Sequence, residues 1–253
     1  MYDFQKANMW KRISATLCDF IALCIVIVGV ALLLSTAFGY DGYTTRLEEI
    51  SDFYASEYNV NLEISRSEYE TLSEGERARY EAADQAFALD GEANYVYKMI
   101  VNLTLIIVTF SILISFLLLE FLIPLLFGNG QTLGKKVFGV AVMREDGVKI
   151  SPVLLFARTI LGKYTLETMV PVFIIIMIAL GLMGVLGTIV ILALLVLQAV
   201  LLITTKARTP LHDKLAHTAC VDFASQMIFD TPEDLLAYKK RIHAERVEEE
   251  KSI

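Results

Sequence analysis

Three long uncharged runs constrain this chain more than any other feature of its sequence. Residues 13–38 are uncharged except for Asp19, residues 99–127 are uncharged except for Glu120, and residues 172–203 carry no charge. About 20 helical residues, at 1.5 Å each, cross a hydrocarbon core of roughly 30 Å, so runs of this length are typical of membrane spans. A mean hydropathy of +0.55 agrees with that interpretation. The sequence therefore predicts an all-α integral membrane protein in contact with the lipid bilayer.

The last apolar run is too long for one span. As a single helix, residues 172–203 would measure about 48 Å and would leave the basic tail outside the cell. Three glycines near the middle of the run suit a tight turn between two helices: Gly181, Gly184 and Gly187. We therefore predict a hairpin at these glycines, with the preceding helix beginning near Lys163 or Glu167, and four spans in total.

Basic residues near the span ends predict the orientation, because Lys and Arg concentrate on the cytoplasmic side. The segment 39–98 holds fourteen Asp and Glu but only five of the 22 Lys and Arg. The other basic residues lie before the first run, in the loop 128–165, and after the last run. The N-terminus, this loop and the C-terminal tail are therefore expected in the cytoplasm, and the acidic insert outside. No basic face suited to a nucleic acid is expected.

This orientation divides the chain into six segments. They are the N-terminus with the first span (1–38), an extracellular insert (39–98), the second span (99–127), a cytoplasmic loop with an interfacial helix (128–165), the hairpin of spans three and four (166–205), and a cytoplasmic tail (206–253).

The extracellular insert carries helical signals. Apolar residues from Leu47 to Tyr58 follow helical spacing, and Asn59 breaks the pattern. Ser65 and Glu68 form a capping-box pattern that starts a second helix, which we expect to continue with a kink at Gly75. The insert is therefore predicted to be a helical hairpin.

The cytoplasmic loop carries strand signals. An Asp146-Gly147 turn lies between residues 137–143 and residues 148–150, which predicts a short β-hairpin at the membrane surface. Residues 154–164 mix Arg and Lys with Leu, Ile and Phe, a pattern typical of an amphipathic interfacial helix.

The tail begins a further helix. Thr231 offers a capping hydroxyl, Pro232 suits the first helical position, and Glu233 and Asp234 follow at the positive end of the helix. The segment from there to Glu250 is expected to be a charged cytoplasmic helix.

No motif predicts an enzyme, a cofactor or a metal site. The glycines between Gly128 and Lys136 do not have the G-x-x-x-x-G-K-[ST] spacing of a phosphate loop, and Lys136 stands where that loop needs a hydroxyl. The chain has no nucleophile elbow, no H-E-x-x-H and no flavin or nicotinamide fingerprint. His212 and His217 lack a third ligand in their segment.

Charged residues inside or beside the spans form the candidate site, because a charge in hydrocarbon is costly and marks function or a specific pair. They are Arg12, Asp19, Glu120, Asp213 and its neighbour His212. Asp19 lies about 9 Å inside its span and Glu120 about 10 Å inside its own, so we expect both carboxylates at one depth. Pro124 frees the backbone carbonyl of Glu120 as an additional acceptor.

Two hypotheses explain these charges. In the first, Asp19 and Glu120 share a proton or a small cation, since paired carboxylates in low dielectric hold either. In the second, they belong to a structural clamp, in which Arg12 pairs with Asp19 or with Asp213 and joins the first span to the last.

Three separated motifs occur in order along the chain. The first span carries R-x-x-A-x-x-x-D at Arg12, Ala15 and Asp19. The loop carries Gly130-Gln131-Thr132-Leu133-Gly134-Lys135-Lys136, followed by Gly139 and Val142. The third motif is Leu211-His212-Asp213 with Leu215, Ala216 and Thr218. Together they resemble the RDD family of bacterial membrane proteins, over about residues 8–38 and 99–223.

The chain departs from that family pattern at two positions. Cys18 stands where an aliphatic residue is common, and His217 stands where glycine is common. The resemblance implies a helical transmembrane protein and, as has been suggested for some members, transport by cation/proton antiport.

The leading hypothesis is a multi-pass protein of the bacterial cytoplasmic membrane that moves a small cation or a proton. Asp19 would be its ionisable centre and Glu120 its neighbour, while Arg12 and Asp213 would modulate charge and packing. Four spans are few for a transport path, so a homo-oligomer is expected. The alternative is a non-catalytic adaptor whose outer insert and tail helix bind partner proteins.

Overall fold

A computed structural model describes residue 5 and residues 7–179, 181–205 and 209–251 of the chain, without the side chains of residues 249 and 251. Lys6, Lys206 and Arg208, which belong to the predicted cytoplasmic charge, lie outside these residues. The chain forms two units, Val28–Ser111 and Met1–Ile27 with Ile112–Ile253.

Helices dominate the fold, and a single pair of strands accompanies them in the described residues. In chain order the elements are α1 (Met9–Phe38), α2 (Tyr40–Tyr58), α3 (Arg66–Thr71), α4 (Glu74–Leu89), α5 (Gly91–Phe127), α6 (Leu133–Val137), β1 (Val140–Arg144), α7 (Pro152–Ala179), α8 (Val185–Thr204), α9 (Leu211–Leu215), β2 (Thr218–Asp222) and α10 (Pro232–Lys251).

Four of these helices, α1, α5, α7 and α8, are long and apolar enough to cross a membrane. They contain 30, 37, 28 and 20 residues, whereas about 20 residues suffice for a span. The predicted number of four spans is therefore confirmed among the described residues.

The turn between α7 and α8 lies at the predicted glycines. Gly181 has a φ of 71°, which an L side chain rarely adopts. At Gly187 a Cβ atom would lie 3.0 Å from the side chain of Ile178, so glycine lets the two helices approach closely. Residue 180, which directly precedes the predicted turn, lies outside the described residues.

The third span begins earlier than predicted. The interfacial helix expected over residues 154–164 is the first part of α7, which starts at Pro152 and runs without a break to Ala179. The Ser151 hydroxyl accepts a hydrogen bond from the Leu154 amide at 3.3 Å, and Pro152 occupies the first helical turn. This N-cap fixes the helix start upstream of Lys163 and Glu167, where the sequence placed it.

In the unit Val28–Ser111, α2 packs against α4 as a helical hairpin. Asn59 ends α2 in the left-handed conformation, as its position predicted. The Ser65–Glu68 capping box is confirmed, but the helix that it starts ends at Thr71. A second capping box, between Ser73 and Glu76, starts α4. The predicted kink at Gly75 is therefore wrong, because the helix breaks two residues earlier and restarts.

The two strands pair across the sequence. β1 and β2 are antiparallel, with Val140 opposite Asp222 and Arg144 opposite Thr218. The predicted turn at Asp146-Gly147 is present, since the Gly147 amide donates to the Arg144 carbonyl at 3.0 Å. The predicted hairpin partner over 148–150 contributes one bridge, from Met143 to Lys149. The hairpin is therefore present as one antiparallel bridge, and β2, which was not predicted, supplies most of the pairing of β1, so that Met143 lies opposite both Lys149 and Ala219.

The tail helix α10 begins at the predicted position. Thr231 accepts a hydrogen bond from the Asp234 amide at 3.2 Å, and the Thr231 amide donates back to the Asp234 carboxylate. Leu235 packs with Val148 and Phe229, which ties the start of α10 to the loop.

Candidate functional site

The loop after α5 binds to α1 through Asp19. The Asp19 carboxylate accepts hydrogen bonds from the Thr132 hydroxyl and, at 2.7 Å, from the Gly134 amide. The Lys135 ammonium lies 3.9 Å from the same carboxylate. Asp19 of α1 therefore accepts hydrogen bonds from the start of α6, and Lys135 supplies the opposite charge. Burial lowers the pKa of Lys135 from its ordinary value, and the nearby Lys163 adds to that shift.

Close packing explains why Ala15 and Gly134 accompany Asp19 in the sequence motifs. A Cβ atom at Gly134 would lie 2.2 Å from the Ala15 carbonyl oxygen and 3.0 Å from the Asp19 carboxylate. Ala15 itself is buried. The first-span motif and the loop motif are thus two sides of one contact, in which small residues bring the backbones together and Asp19 bonds the loop.

Glu120 pairs with a lysine of α7. The Lys163 ammonium donates to the Glu120 carboxylate at 2.6 Å. The Thr159 hydroxyl donates to the Glu120 backbone carbonyl at 3.0 Å, which confirms the prediction that Pro124 makes this carbonyl available.

Both helices are locally widened at this contact. Leu117–Leu122 of α5 and Ala157–Met169 of α7 adopt the π-helical hydrogen-bond pattern. Segments of this kind are rare and frequently occur at functional sites, because they turn side chains and carbonyl groups away from their α-helical positions. Glu120 and Lys163 each lie within such a segment.

Asp213 pairs with Arg158. Their side chains are 0% and 1% exposed, and the Arg158 Nε donates to the carboxylate at 2.6 Å. The Thr218 hydroxyl donates to the same carboxylate oxygen at 3.0 Å. Burial alone raises the pKa of Asp213, but the Arg158 guanidinium, with His212 and Lys135, outweighs it and holds this pKa well below its usual range.

His212 is held by Glu167. The Glu167 carboxylate lies 2.7 Å from the His212 Nδ1 and accepts the His212 backbone amide at 2.9 Å. Burial lowers the pKa of His212 from its ordinary value and so favours the neutral imidazole. Gly162 allows this contact, because a Cβ atom there would lie 2.5 Å from the Cβ of His212.

These groups surround one cleft between α1, α5 and α7. Its volume is about 470 Å³, and three carboxylates line it: Asp19, Glu120 and Glu167. Lys163, His212 and the hydroxyls of Thr16 and Thr168 also line it, while the remaining wall is apolar. A smaller adjoining cavity of about 80 Å³ is lined by Arg12, Lys135, Arg158, Lys163 and Asp213. The two spaces together contain all the charged residues singled out from the sequence.

The structure adds ion pairs that neither charge hypothesis named. Asp19 and Glu120 line the same cleft, but each has its own lysine. Asp213 pairs with Arg158, a residue that neither hypothesis named. Arg12 lines the smaller cavity beside that pair.

Sequence reasoning missed several members of the network. They are Thr132, Lys135, Arg158, Lys163 and Glu167. A signal was present for three of them: Arg158, Lys163 and Glu167 are charges within a stretch that is long and apolar enough to span a membrane. No group of three or more His, Cys, Asp or Glu side chains suited to a metal ion occurs within the described part of the chain.

The fold and the network define a class, the polytopic helical membrane proteins whose spans are joined by buried charges. The profile of the RDD family matches residues 6–217. Since this match covers most of the chain, the chain belongs to the RDD family. Neither the curated proteins nor the solved structures contain a match to it.

The backbone at His217 adopts a conformation that is more usual for glycine. His217, at a position where glycine is common in the family, has a φ of 49°. A left-handed conformation of this kind favours glycine. The Glu145 amide donates to the His217 carbonyl at 3.0 Å, which holds this turn against the loop that follows β1.

Proposed function

We propose that this RDD-family protein moves a small cation or a proton across the membrane through the cleft between α1, α5 and α7. The observation that carries the proposal is the convergence of three carboxylates, Asp19, Glu120 and Glu167, on one cleft whose other walls are largely apolar. Ionisable groups between spans are costly, so their concentration in one place favours a functional role over a purely structural one.

The chemistry of the cleft suits a hard cation or a proton. Carboxylate and hydroxyl oxygens are the ligands that such cations prefer, and Thr16 and Thr168 also line the cleft. Because no three described carboxylates are grouped as a metal site, the proton or cation would pass from one carboxylate to the next. A cleft of about 470 Å³ has room for water molecules that would link the carboxylates to one another. The proposal therefore needs no cofactor and no enzymatic step, and it assigns the chain no catalytic role.

In this proposal Glu120 is the ionisable centre, a role that the sequence analysis gave to Asp19. Asp19 is held by a hydroxyl, an amide and an ammonium of the loop, so its carboxylate has few positions left for a ligand. Within the described part of the chain, the Glu120 carboxylate accepts a hydrogen bond from Lys163, which also lines the cleft. A cation competes more readily for Glu120 than for Asp19.

The setting of this activity is part of the proposal. We place the protein in a bacterial cytoplasmic membrane as a multi-pass protein, with both termini in the cytoplasm. A homo-oligomer would complete the path, because four spans enclose little space by themselves. No nucleic acid takes part.

The test is cation-driven dissipation of a pH gradient in inside-out vesicles. Sodium, lithium and potassium are added in turn to vesicles with wild-type protein, with Glu120→Gln, or with Glu167→Gln. The exposed Glu245→Gln on α10 makes the same chemical change outside the cleft and serves as the matched control. The expected result is a response in wild type and control that falls at least about tenfold in Glu120→Gln at equal protein level.

An absent response in wild type, relative to empty vesicles, would contradict the proposal. The adaptor hypothesis would then lead, and deletion of residues 41–97 would be expected to abolish partner binding.

A further inference from the structure

A second cavity lies where the loop meets the ends of α5 and α7. Its volume is about 420 Å³, within the range of roughly 300–1,000 Å³ that is common for small-molecule sites. Pro124, Leu125 and Leu155 contribute an apolar wall, and Arg144, Lys149 and Asp230 contribute charged side chains. Its lining residues differ from those of the cleft. The cavity is therefore a separate candidate site.

The two basic side chains of this cavity have partners that an incoming anion replaces at little cost. Lys149 lies 3.6 Å from Asp230, whose side chain is 82% exposed. Arg144 pairs with Asp146 at 2.6 Å, and both side chains are more than one third exposed. Ion pairs on exposed surfaces contribute little, because water and salt screen them.

The walls of the cavity are held by hydrogen bonds before any ligand arrives. The Lys149 amide donates to the Phe229 carbonyl at 2.8 Å, and the Phe229 amide donates to the Gly147 carbonyl at 3.1 Å. On the opposite side, a Cβ atom at Gly130 would lie 3.0 Å from the Ile150 side chain, so the loop packs tightly there. Lys149 is thus positioned by its backbone and needs only a side-chain movement to bind.

The helix ends that line this cavity indicate where it lies relative to the membrane. The last turn of α5 and the first turn of α7 line it, and both helices are candidate spans. Its mouth therefore lies near the boundary between hydrocarbon and water, where lipid headgroups are concentrated. Leu126 and Val153 are largely exposed beside those lining residues, and they continue the apolar wall toward the acyl chains.

We propose that this cavity binds the phosphate headgroup of an anionic phospholipid. Arg144 contacts the phosphate through its fork of N–H donors, and Lys149 contacts it as a point charge. Leu126 and Val153 contact the first carbons of the acyl chains. A lipid suits the site better than free phosphate, because its acyl chains contact the apolar wall, whereas an isolated anion makes no favourable contact there. The site is independent of the transport activity.

The experiment uses the full chain purified in detergent and measures its thermal unfolding during lipid titration. Phosphatidylglycerol is compared with phosphatidylcholine of the same acyl chains. The test variant is Arg144→Gln/Lys149→Gln, and Lys239→Gln/Lys240→Gln on the exposed face of α10 is the control, since it removes the same charge. A third variant, Lys149→Gln alone, keeps the proposal testable where the double variant fails to fold.

Wild type and control are expected to be stabilised by phosphatidylglycerol more than by phosphatidylcholine. In the double variant, the phosphatidylglycerol concentration for half-maximal stabilisation is expected to rise at least about tenfold, with an intermediate rise for Lys149→Gln. Equal stabilisation by the two lipids, or an unchanged preference in the variants, would overturn the proposal. Equal stabilisation by inorganic phosphate without lipid would overturn the assignment to a phospholipid.

Discussion

Two ion pairs of the same length lie side by side in the unit that contains the cleft. Arg158–Asp213 and Lys163–Glu120 both have a nitrogen–oxygen distance of 2.6 Å. The first pair is sealed, with side chains 1% and 0% exposed, whereas Lys163 is 17% exposed and faces the cleft. Two ion pairs with the same nitrogen–oxygen distance therefore differ in how far they are buried. The sealed pair joins α7 to α9 as a clamp, whereas Lys163 and Glu120, whose side chains are 17% and 6% exposed, both line the cleft.

The largest effect is expected from breaking the sealed pair. Asp213→Asn leaves the Arg158 guanidinium buried without a carboxylate, which costs about 3–5 kcal/mol. The variant should unfold or fail to accumulate in the membrane. Thermal unfolding and membrane protein level measure this, and near-normal stability would show that water reaches the pair after all.

The next largest effect concerns the packing that seals the pair. Gly162→Ala places a methyl group 2.5 Å from the Cβ of His212, so α9 must move. The expected loss is about 1–3 kcal/mol of unfolding free energy. Gly29→Ala is the matched control, because a Cβ there meets nothing within 4 Å and alanine favours a helix. If both variants have the same melting temperature, α7 and α9 are not closely packed.

A smaller loss of stability is expected from the cleft pair. Glu120→Gln keeps the shape of the side chain and leaves Lys163 in a space that water enters, so the expected cost is about 1–2 kcal/mol. The variant should accumulate while transport is lost. A stability loss as large as that of Asp213→Asn would remove the distinction between the two pairs.

A pH dependence of stability is expected from His212, which lies between the two pairs. Its folded-state pKa is below the ordinary value of 6.5, chiefly because burial disfavours the imidazolium. The unfolded chain therefore binds a proton that the folded chain does not, and stability falls as the pH drops below about 6.5. The charged groups that affect it include Glu167, Asp213, Arg158 and Lys163. Melting temperatures between pH 7.5 and 5 should decline less steeply in His212→Gln.

The smallest effect is a gain of stability. His217→Gly relieves a left-handed backbone conformation, which costs a non-glycine residue about 1 kcal/mol. The larger freedom of glycine in the unfolded chain offsets part of this gain. A slightly higher melting temperature is expected, and a lower one would mean that the His217 side chain stabilises the turn.

The sequence predicted those features that follow from local patterns. Long uncharged runs predicted the spans, the capping box at Ser65 predicted a helix start, and Pro124 predicted a free carbonyl at Glu120. Each depends on a few consecutive residues and on the length of a run.

Features that depend on distant partners were not predictable in the same way. β1 was expected to pair with the segment beside it, and one bridge to that segment forms, but most of its pairing is with a strand beyond the last span. The pairing of Asp213 with Arg158 depends on the path of α7, which brings a residue 55 positions earlier in the chain beside Asp213. No pattern used in the sequence analysis predicts the π-helical segments, so the contact between Glu120 and Lys163 was not predicted.

The most direct test of the proposed role of Glu120 in transport is the transport rate per folded molecule in Glu120→Gln. Inside-out vesicles are matched for folded protein, and the initial rate of cation-driven dissipation of the pH gradient is compared with wild type. We expect a normal amount of folded Glu120→Gln protein and a transport rate at least about tenfold lower than that of wild type. A normal rate in a stable Glu120→Gln protein would contradict it, because the carboxylate of the cleft pair would then take no part in transport.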